Sequence, residues 1–120
     1  MKTLGLQVEE EQGVTVLTPL DQELRMDNVD AMRPQVVQLL DAGPPARLLF
    51  DLQHVRFLSS SGLGLIVQMA VRVSQHHGKF AVCGADPQIV ELFTGPPLMM
   101  RSFPLYNDRS SGVEVLAIRD

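Results

Sequence analysis

Two stretches near the start of the chain alternate between apolar and polar residues, LGLQVEE at residues 4–10 and GVTVLTP at residues 13–19. A period of two is typical of strands with one buried face, because successive side chains point to opposite sides of a sheet. Gly13 follows the acidic run between the two stretches, where the chain must turn back. The pattern therefore predicts an N-terminal β-hairpin.

After the hairpin, apolar residues recur at helical spacing between residues 27 and 43. Asp27 or Asn28 is a candidate N-cap and Gly43 a candidate stop, whereas Pro34 fits only within the first turns and indicates a late start or a bend. The stretch ARLLFDLQHV at residues 46–55 then predicts a strand. Its continuous LLF run indicates burial on both faces and a parallel neighbour.

The second half of the chain continues to alternate helices and strands. Residues 107–120 are ambiguous, because Asn107 or Asp108 could cap a helix but Gly112 and the valines disfavour one. Together the elements predict a single α/β domain spanning residues 1–120, with a mixed four- to five-stranded sheet packed against three to four helices. The remaining predicted elements are a helix at 62–78, a strand at 79–85, a short helix at 86–93 opened by Asp86 and Pro87, a loop at 94–100 and an edge strand at 101–106.

Composition and charge narrow the classes of function. Of the 120 residues 45% are hydrophobic and 20% are charged, and no apolar run approaches the roughly 20 residues of a membrane-spanning helix. Residues 1–13 have no apolar signal core, so we expect a cytoplasmic protein without direct membrane insertion. The net charge is −4, with two lysines and scattered arginines, so nucleic acid is not expected as a partner.

Neither a metal nor a cofactor is predicted. Cys83 is the only cysteine, which excludes an internal disulfide and a cysteine-cluster metal site, and its apolar neighbours indicate a buried residue. The adjacent His76 and His77 are typical of a solvated helix end. Gly62 and Gly64 come without the third glycine of a dinucleotide-binding loop and without the lysine of a phosphate-binding loop.

The predicted helix at residues 62–78 has apolar residues around much of its circumference. Leu65 and Met69 lie one turn apart on one side, beside Arg72 and His76. We interpret this pair as surface kept available for a partner, with the alternative that a second helix of the same chain covers it. The other apolar residues lie on an arc that we expect to face the sheet: Leu63, Ile66, Val67, Ala70, Val71 and Val73.

Three consecutive serines, Ser59 to Ser61, stand between a predicted strand and this helix. One of them is expected to be the N-cap, which contributes about 1 kcal/mol. The other two are expected to be exposed at the joint. Gly62 and Gly64 have no side chains that protrude from the surface, so another protein could approach the hydroxyls. The arrangement suggests a modification site.

The run LLFDLQHVRFLSSSGLGLIV at residues 48–67 resembles the signature of STAS domains of the anti-sigma-factor antagonist type. In that signature a strand ending in D-L is followed by V-x-F-x-D-S-S-G-L-G. The resemblance continues through the central helix, the strand led by Gly78, the short helix started by Pro87 and the stretch FTGPPLMMRSFPLY. The residues that match the signature in register are Asp51, Leu52, Val55, Phe57, Ser60, Ser61, Gly62, Leu63 and Gly64.

The resemblance implies a bacterial regulatory switch. Family members bind an anti-sigma factor that is also a serine kinase, which phosphorylates the serine after the motif's aspartate, and a phosphatase reverses the modification. By position the acceptor is Ser60, flanked by Ser59 and Ser61. ATP belongs to the kinase, so the resemblance implies neither a cofactor nor enzymatic activity for this chain, and the oligomeric state is left open. The residues that we predict to contact the partner are Gly62, Gly64, Leu65, Met69 and Arg25.

Two positions depart from the family pattern, both where partners are recognised. Ser59 stands in place of the motif's aspartate, and Glu23-Leu24-Arg25 stands where the family often has G-x-L-D. The first change favours an alternative in which the domain is a non-phosphorylated scaffold of a signalling complex or a small subunit of a membrane-transport machine. A serine hydrolase with His54 as base is a further alternative, although the G-x-S-x-G elbow is absent.

Overall fold

A computed structural model describes residues 5–43, 45–94 and 103–118 of the chain. Most of the loop predicted at residues 94–100, and the beginning of the strand predicted at 101–106, lie outside the described residues. None of the helices in the described part has the length and apolar character needed to cross a membrane. The elements are β1 (Leu6–Glu11), β2 (Val14–Pro19), β3 (Glu23–Leu24), α1 (Met26–Asp41), β4 (Arg47–Asp51), β5 (Phe57–Leu58), α2 (Ser60–Gln75), β6 (Lys79–Cys83), α3 (Pro87–Thr94), β7 (Leu105–Tyr106) and α4 (Arg109–Leu116).

A five-stranded mixed sheet forms the centre of the fold, in the order β1-β2-β4-β6-β7. β1 and β2 are antiparallel, and the turn between them consists of Gln12 and Gly13, with positive φ angles of 54° and 80°. Two such residues are typical of a type I′ turn, whose twist matches that of the flanking strands. The other strand pairs of this sheet are parallel. The predicted hairpin, mixed sheet and α/β fold are thus confirmed.

Helices cover both faces of this sheet. The face toward α1, α2 and α3 carries the larger hydrophobic core, and α4 covers the opposite face over a smaller core. The three apolar residues of the LLF run in β4 contribute to both cores. Leu48 and Phe50 belong to the larger core, and Leu49 belongs to the smaller core. The predicted burial of this strand on both faces is therefore confirmed. Cys83 is also buried in the smaller core, and its burial raises the pKa of the thiol above its ordinary value.

The ambiguous C-terminal segment forms α4. Asp108 caps this helix by accepting a hydrogen bond from the backbone amide of Ser111 at 2.8 Å, and this bond lowers the pKa of the Asp108 carboxyl. Gly112 disfavours a helix by propensity but is required by packing, because a Cβ at this position would lie 2.8 Å from Leu49 Cδ1. The close approach of α4 to the sheet therefore explains why glycine occupies position 112, although glycine is unfavourable inside a helix.

The buried face of α2 differs from the predicted one. Leu65 and Met69 are fully buried, whereas Val71, which was expected to face the sheet, is 45% exposed. The interpretation of Leu65 and Met69 as an exposed pair that contacts a partner is therefore wrong. Relative to the prediction, the buried arc is rotated by about a quarter turn, at about 100° per residue.

The burial of this pair follows from the packing of α1 along α2. Arg72 of α2 forms an ion pair with Asp41 of α1 at 2.8 Å, which marks the exposed border of the contact between the helices. The alternative interpretation, that a second helix of the same chain covers Leu65 and Met69, is confirmed. The two residues share the larger core with four buried side chains of α1, Val29, Met32, Val36 and Leu40.

We expect Leu65→Ala to lower the free energy of unfolding by about 2–5 kcal/mol, because it removes a fully buried side chain and leaves a cavity in the larger core. Val71→Ala, on the exposed side of the same helix, is the matched control and should change the free energy of unfolding by less than about 0.5 kcal/mol. Urea denaturation followed by circular dichroism measures both values. Equal, small losses in the two variants would place Leu65 outside the core.

Candidate functional site

Two short strands bring the starts of two helices together. β3 and β5 pair in parallel with Leu24 opposite Leu58, and the backbone amide of Ser59 donates to the carbonyl of Leu24 at 2.9 Å. α1 follows β3 directly, with Arg25 as its N-cap residue, and α2 follows β5 directly, with Ser59 as its N-cap residue. The N-termini of α1 and α2 therefore lie side by side, next to the three serines.

Ser59 is the serine that caps α2. Its backbone is extended, with φ −80° and ψ 173°, and its Oγ accepts a hydrogen bond from the backbone amide of Gly62 at 3.2 Å. This bond satisfies one of the amides that lack a partner at the start of a helix. The prediction that one of the three serines acts as the cap is confirmed. Ser60 and Ser61 are then the first two residues of the helix.

Ser60 is exposed at the first position of α2, and Ser61 is half-buried. Within residues 5–43, 45–94 and 103–118, the Ser60 hydroxyl has no hydrogen-bond partner. The hydroxyl is thus open to a second protein, whereas the backbone that carries it is held by the cap and by the pairing of β3 with β5. A negative charge at this place is also favourable, because the N-terminus of a helix carries a partial positive charge.

The two glycines after the serines differ in their surroundings. Gly62 is buried, and a Cβ there would lie 2.6 Å from Leu58 Cδ1 and 3.2 Å from Leu24 Cβ. A side chain at Gly62 would require Leu58 and Leu24 to shift, so glycine favours the close packing of the first turn of α2 on β3 and β5. Because Gly62 is buried, its predicted role as a surface contact is wrong. Gly64 is exposed, and a Cβ at this position would meet nothing within 4 Å. Gly64 thus remains a candidate contact residue.

The exposed apolar side chains beside the serines are not the predicted ones. Phe57, two residues before Ser59, is 51% exposed, and Met26, the first residue of α1, is 64% exposed. Neither was among the predicted contact residues, although Phe57 belongs to the signature and its neighbour Leu58 faces inward. We call the surface formed by five residues the serine face: Arg25, Met26, Phe57, Ser60 and Gly64.

Arg25 lies beside the serines because of the register of the two short strands. It follows Leu24 as Ser59 follows Leu58, and Leu24 and Leu58 are paired. An arginine side chain has no acceptor and cannot cap α1. Instead, the side-chain oxygen of Asn28 accepts a hydrogen bond from the Arg25 backbone amide at 2.7 Å.

The predicted start of α1 requires a correction. Asp27 and Asn28, the two candidate caps, lie inside the helix, which begins at Met26. Pro34 also lies well inside α1, not in its first turns. The helix starts two or three residues earlier than predicted because it follows directly from the paired strand β3.

Asp51 fixes the start of the loop that leads to the serines. Its side chain is fully buried and accepts hydrogen bonds from the backbone amide of Gln53 at 3.1 Å and from the side-chain amide of Gln53 at 2.6 Å. A carboxylate that accepts a hydrogen bond from the backbone amide two residues later is typical of a turn. This residue of the signature therefore has a structural role at the end of β4.

Across the part of the chain that the structure describes, no three histidine, cysteine, aspartate or glutamate residues come together in a group that could hold a metal ion. The chemical features of the site are therefore a free hydroxyl, exposed apolar side chains and one arginine. Such a surface can bind a protein and accept a modification.

The chain is similar to known proteins over nearly its whole length. The anti-sigma F factor antagonist of Paenibacillus polymyxa is 25% identical over 115 residues, which cover 96% of this chain and 97% of that protein. The structure of an anti-sigma-factor antagonist (STAS) domain protein from Planctomyces limnophilus is 26% identical, with a TM-score of 0.84 over 94% of this chain and 98% of that chain.

A third similarity shows the fold alone. The phosphorylated form of the Bacillus cell fate determinant SpoIIAA is 16% identical, with a TM-score of 0.72 over 92% of this chain and 97% of that chain. The model of the STAS domain family matches residues 5–108, which confirms the resemblance seen in the signature. The chain therefore belongs to the STAS domain family.

Proposed function

We propose that this protein is an anti-sigma-factor antagonist, which binds an anti-sigma factor with serine kinase activity through the serine face. Phosphorylation of Ser60 by that kinase breaks the complex, and a phosphatase restores it. The observation that carries the proposal is the exposed Ser60 hydroxyl, which has no hydrogen-bond partner among the described residues and is flanked by exposed apolar side chains. The names of the similar proteins from Paenibacillus and Planctomyces support the choice of partner.

The modification is a phosphoryl transfer to the Ser60 oxygen. The hydroxyl attacks the γ-phosphorus of ATP bound to the partner kinase, the bond between the γ-phosphorus and the bridging oxygen breaks, and ADP leaves. The hydroxyl proton passes to a base of the kinase. In the reverse direction, water attacks the phosphorus in the phosphatase site, and the bond to the Ser60 oxygen breaks, so that phosphate leaves and the hydroxyl is restored.

The phosphate acts on the interface and leaves the fold unchanged. It brings about −1.5 to −2 charges to the first turn of α2, where the partial positive charge of the helix end tolerates an anion. Docking would bury this charge beside Met26 and Phe57, which removes its water. A penalty of about 3 kcal/mol weakens binding by roughly a hundredfold.

Ser59 bears on whether the switch operates in this protein. Serine and aspartate are about equally good N-caps, so the replacement of the motif's aspartate keeps the cap that Ser59 provides and removes only a charge. If that charge is needed for recognition by the kinase, the domain binds its partner as a scaffold without being phosphorylated. The departure at Ser59 is the observation that favours this second candidate function.

Substitution of Ser60 tests the role of charge. We expect Ser60→Asp to weaken binding of the anti-sigma factor at least tenfold, because it places a carboxylate in the interface, whereas Ser60→Ala should bind as tightly as the wild type. Isothermal titration calorimetry with the purified anti-sigma factor of the same organism measures both affinities. Equal affinities of the two variants would contradict the charge mechanism.

Truncation of the exposed apolar residues tests the position of the interface. We expect Met26→Ala and Phe57→Ala each to weaken binding of the same anti-sigma factor about tenfold or more, since large side chains at an interface centre carry much of the binding energy. Val115→Ala is the matched control, because Val115 is 41% exposed on α4, across the sheet from the serine face. An effect of Val115→Ala as large as that of Phe57→Ala would place the interface elsewhere.

Substitution of Ser59 separates the effect of the N-cap from the effect of a negative charge at the same position. We expect Ser59→Ala to lower the free energy of unfolding by about 1 kcal/mol, and Ser59→Asp to leave it within about 0.5 kcal/mol of the wild type. Incubation of the wild type and Ser59→Asp with the kinase and ATP, followed by mass mapping, then compares phosphorylation of Ser60. Label on Ser60 in the wild type supports the switch. Phosphate on Ser60 in the Ser59→Asp variant but not in the wild type supports the scaffold function.

A further inference from the structure

Arg25 is placed next to the proposed phosphorylation site by the fold itself. Neighbouring strands lie about 4.8 Å apart, and Arg25 and Ser59 each follow directly after one residue of the pair Leu24 and Leu58. The first turn of α2 also rests on the same point, since a Cβ on Gly62 would lie 3.4 Å from the Leu24 carbonyl oxygen. The long side chain of Arg25 therefore starts beside the turn that carries Ser60.

The present partners of Arg25 hold its side chain weakly. Its guanidinium lies 3.5 Å from a Glu23 carboxylate oxygen and 3.6 Å from an Asp27 carboxylate oxygen. Both distances exceed the 2.7–2.9 Å that is typical of a charge-assisted hydrogen bond. All three side chains are more than half exposed, and ion pairs of this kind contribute little to stability. The guanidinium can therefore exchange partners at small cost.

We propose that Arg25 is the internal counter-ion of phosphorylated Ser60, and that its guanidinium moves from Glu23 and Asp27 to the phosphate oxygens. This inference rests on the proposed function, because it requires a phosphate on Ser60. The planar guanidinium donates two parallel hydrogen bonds to a phosphate, and the phosphate carries more charge than either carboxylate. The exchange is therefore favoured once the phosphate is present.

Two other arginines lie near the joint. Arg56 pairs with Asp86, the residue before α3, at 3.4 Å. Arg33 lies about two turns further along α1, where it donates to the side-chain oxygen of Gln68 at 2.9 Å. The short hydrogen bond to Gln68 makes Arg33 a suitable control. The ion pair of Arg56 is about as long as those of Arg25, so Arg56 is the arginine with which Arg25 must be compared.

The exchange extends the effect of the phosphate to the start of α1. When Arg25 turns to the phosphate, the carboxylates of Glu23 and Asp27 lose their cation. A partner that contacts Arg25 in the unmodified protein then meets a neutralised arginine and two unpaired carboxylates. Phosphorylation thus changes the charge of a wider part of the serine face than Ser60 alone.

The test uses a chain with phosphoserine incorporated at position 60 by an expanded genetic code, so no kinase is required. Phosphorus NMR follows the second ionisation of the phosphate against pH in the wild type and in Arg25→Gln, at low and at high salt. We expect Arg25→Gln to lower the acid dissociation constant about two- to fivefold, which raises the pKa of the phosphate, because the cation that favours the dianion is lost. The difference should shrink at high salt. Arg33→Gln, with the same loss of charge, should leave the constant unchanged.

The inference is overturned if the wild type and Arg25→Gln give the same constant at low salt. It is equally overturned if Arg33→Gln gives the same shift, since net charge would then explain it, or if Arg56→Gln gives the shift in place of Arg25→Gln. The kinase assay described above is independent of this titration. A shift that depends on Arg25 in a protein that the kinase never labels would support the ion pair and count against the proposed function.

Discussion

The contact of Gly62 with Leu24 and Leu58 is the constraint on which the site depends. A Cβ at Gly62 would lie 2.6 Å from Leu58 Cδ1 and 3.2 Å from Leu24 Cβ, so any side chain there would require these neighbours to shift, and glycine lets the first turn of α2 lie directly on β3 and β5. That seating aligns the two helix starts, places Ser59 as the cap and leaves Ser60 on the outer side of the turn. The pairing of β3 with β5 places Arg25 beside the serines. The close approach at Gly62 and this strand pairing together position the groups that the proposed switch uses.

The packing of α1 against α2 separates the interior of the domain from the surface that we propose binds the partner. Leu65 and Met69 lie between the two helices and the sheet and stabilise the fold. Ser60 and Gly64 lie on the open side of α2, where a change of charge does not disturb the core. In the proposed switch a phosphate at Ser60 therefore acts on the partner without unfolding the domain, because the groups that hold the backbone are not those of the proposed interface.

The two departures from the family pattern change charge and preserve geometry. Ser59 still accepts a hydrogen bond from the Gly62 amide, as an aspartate would, and Asn28 still closes the first turn of α1 although Arg25 cannot act as a cap. The STAS fold is consequently retained while the charge around Ser60 becomes more positive than the family pattern implies. Arginine in place of an acidic residue beside the proposed acceptor serine is the basis for the internal ion pair that we propose.

The sequence by itself determined the hairpin, the order of helices and strands, the presence of a serine cap and the family, because each depends on residues close together in the chain. It did not determine which side of α2 is buried. Apolar residues cover more than half of the circumference of that helix, so its own pattern is compatible with two orientations. Only the packing of α1 selects one of them. β3 and β5 have two residues each and leave no periodic signal. The juxtaposition of Arg25 with Ser59 was therefore decided by tertiary structure, since it arises from pairing between strands that are distant in the chain.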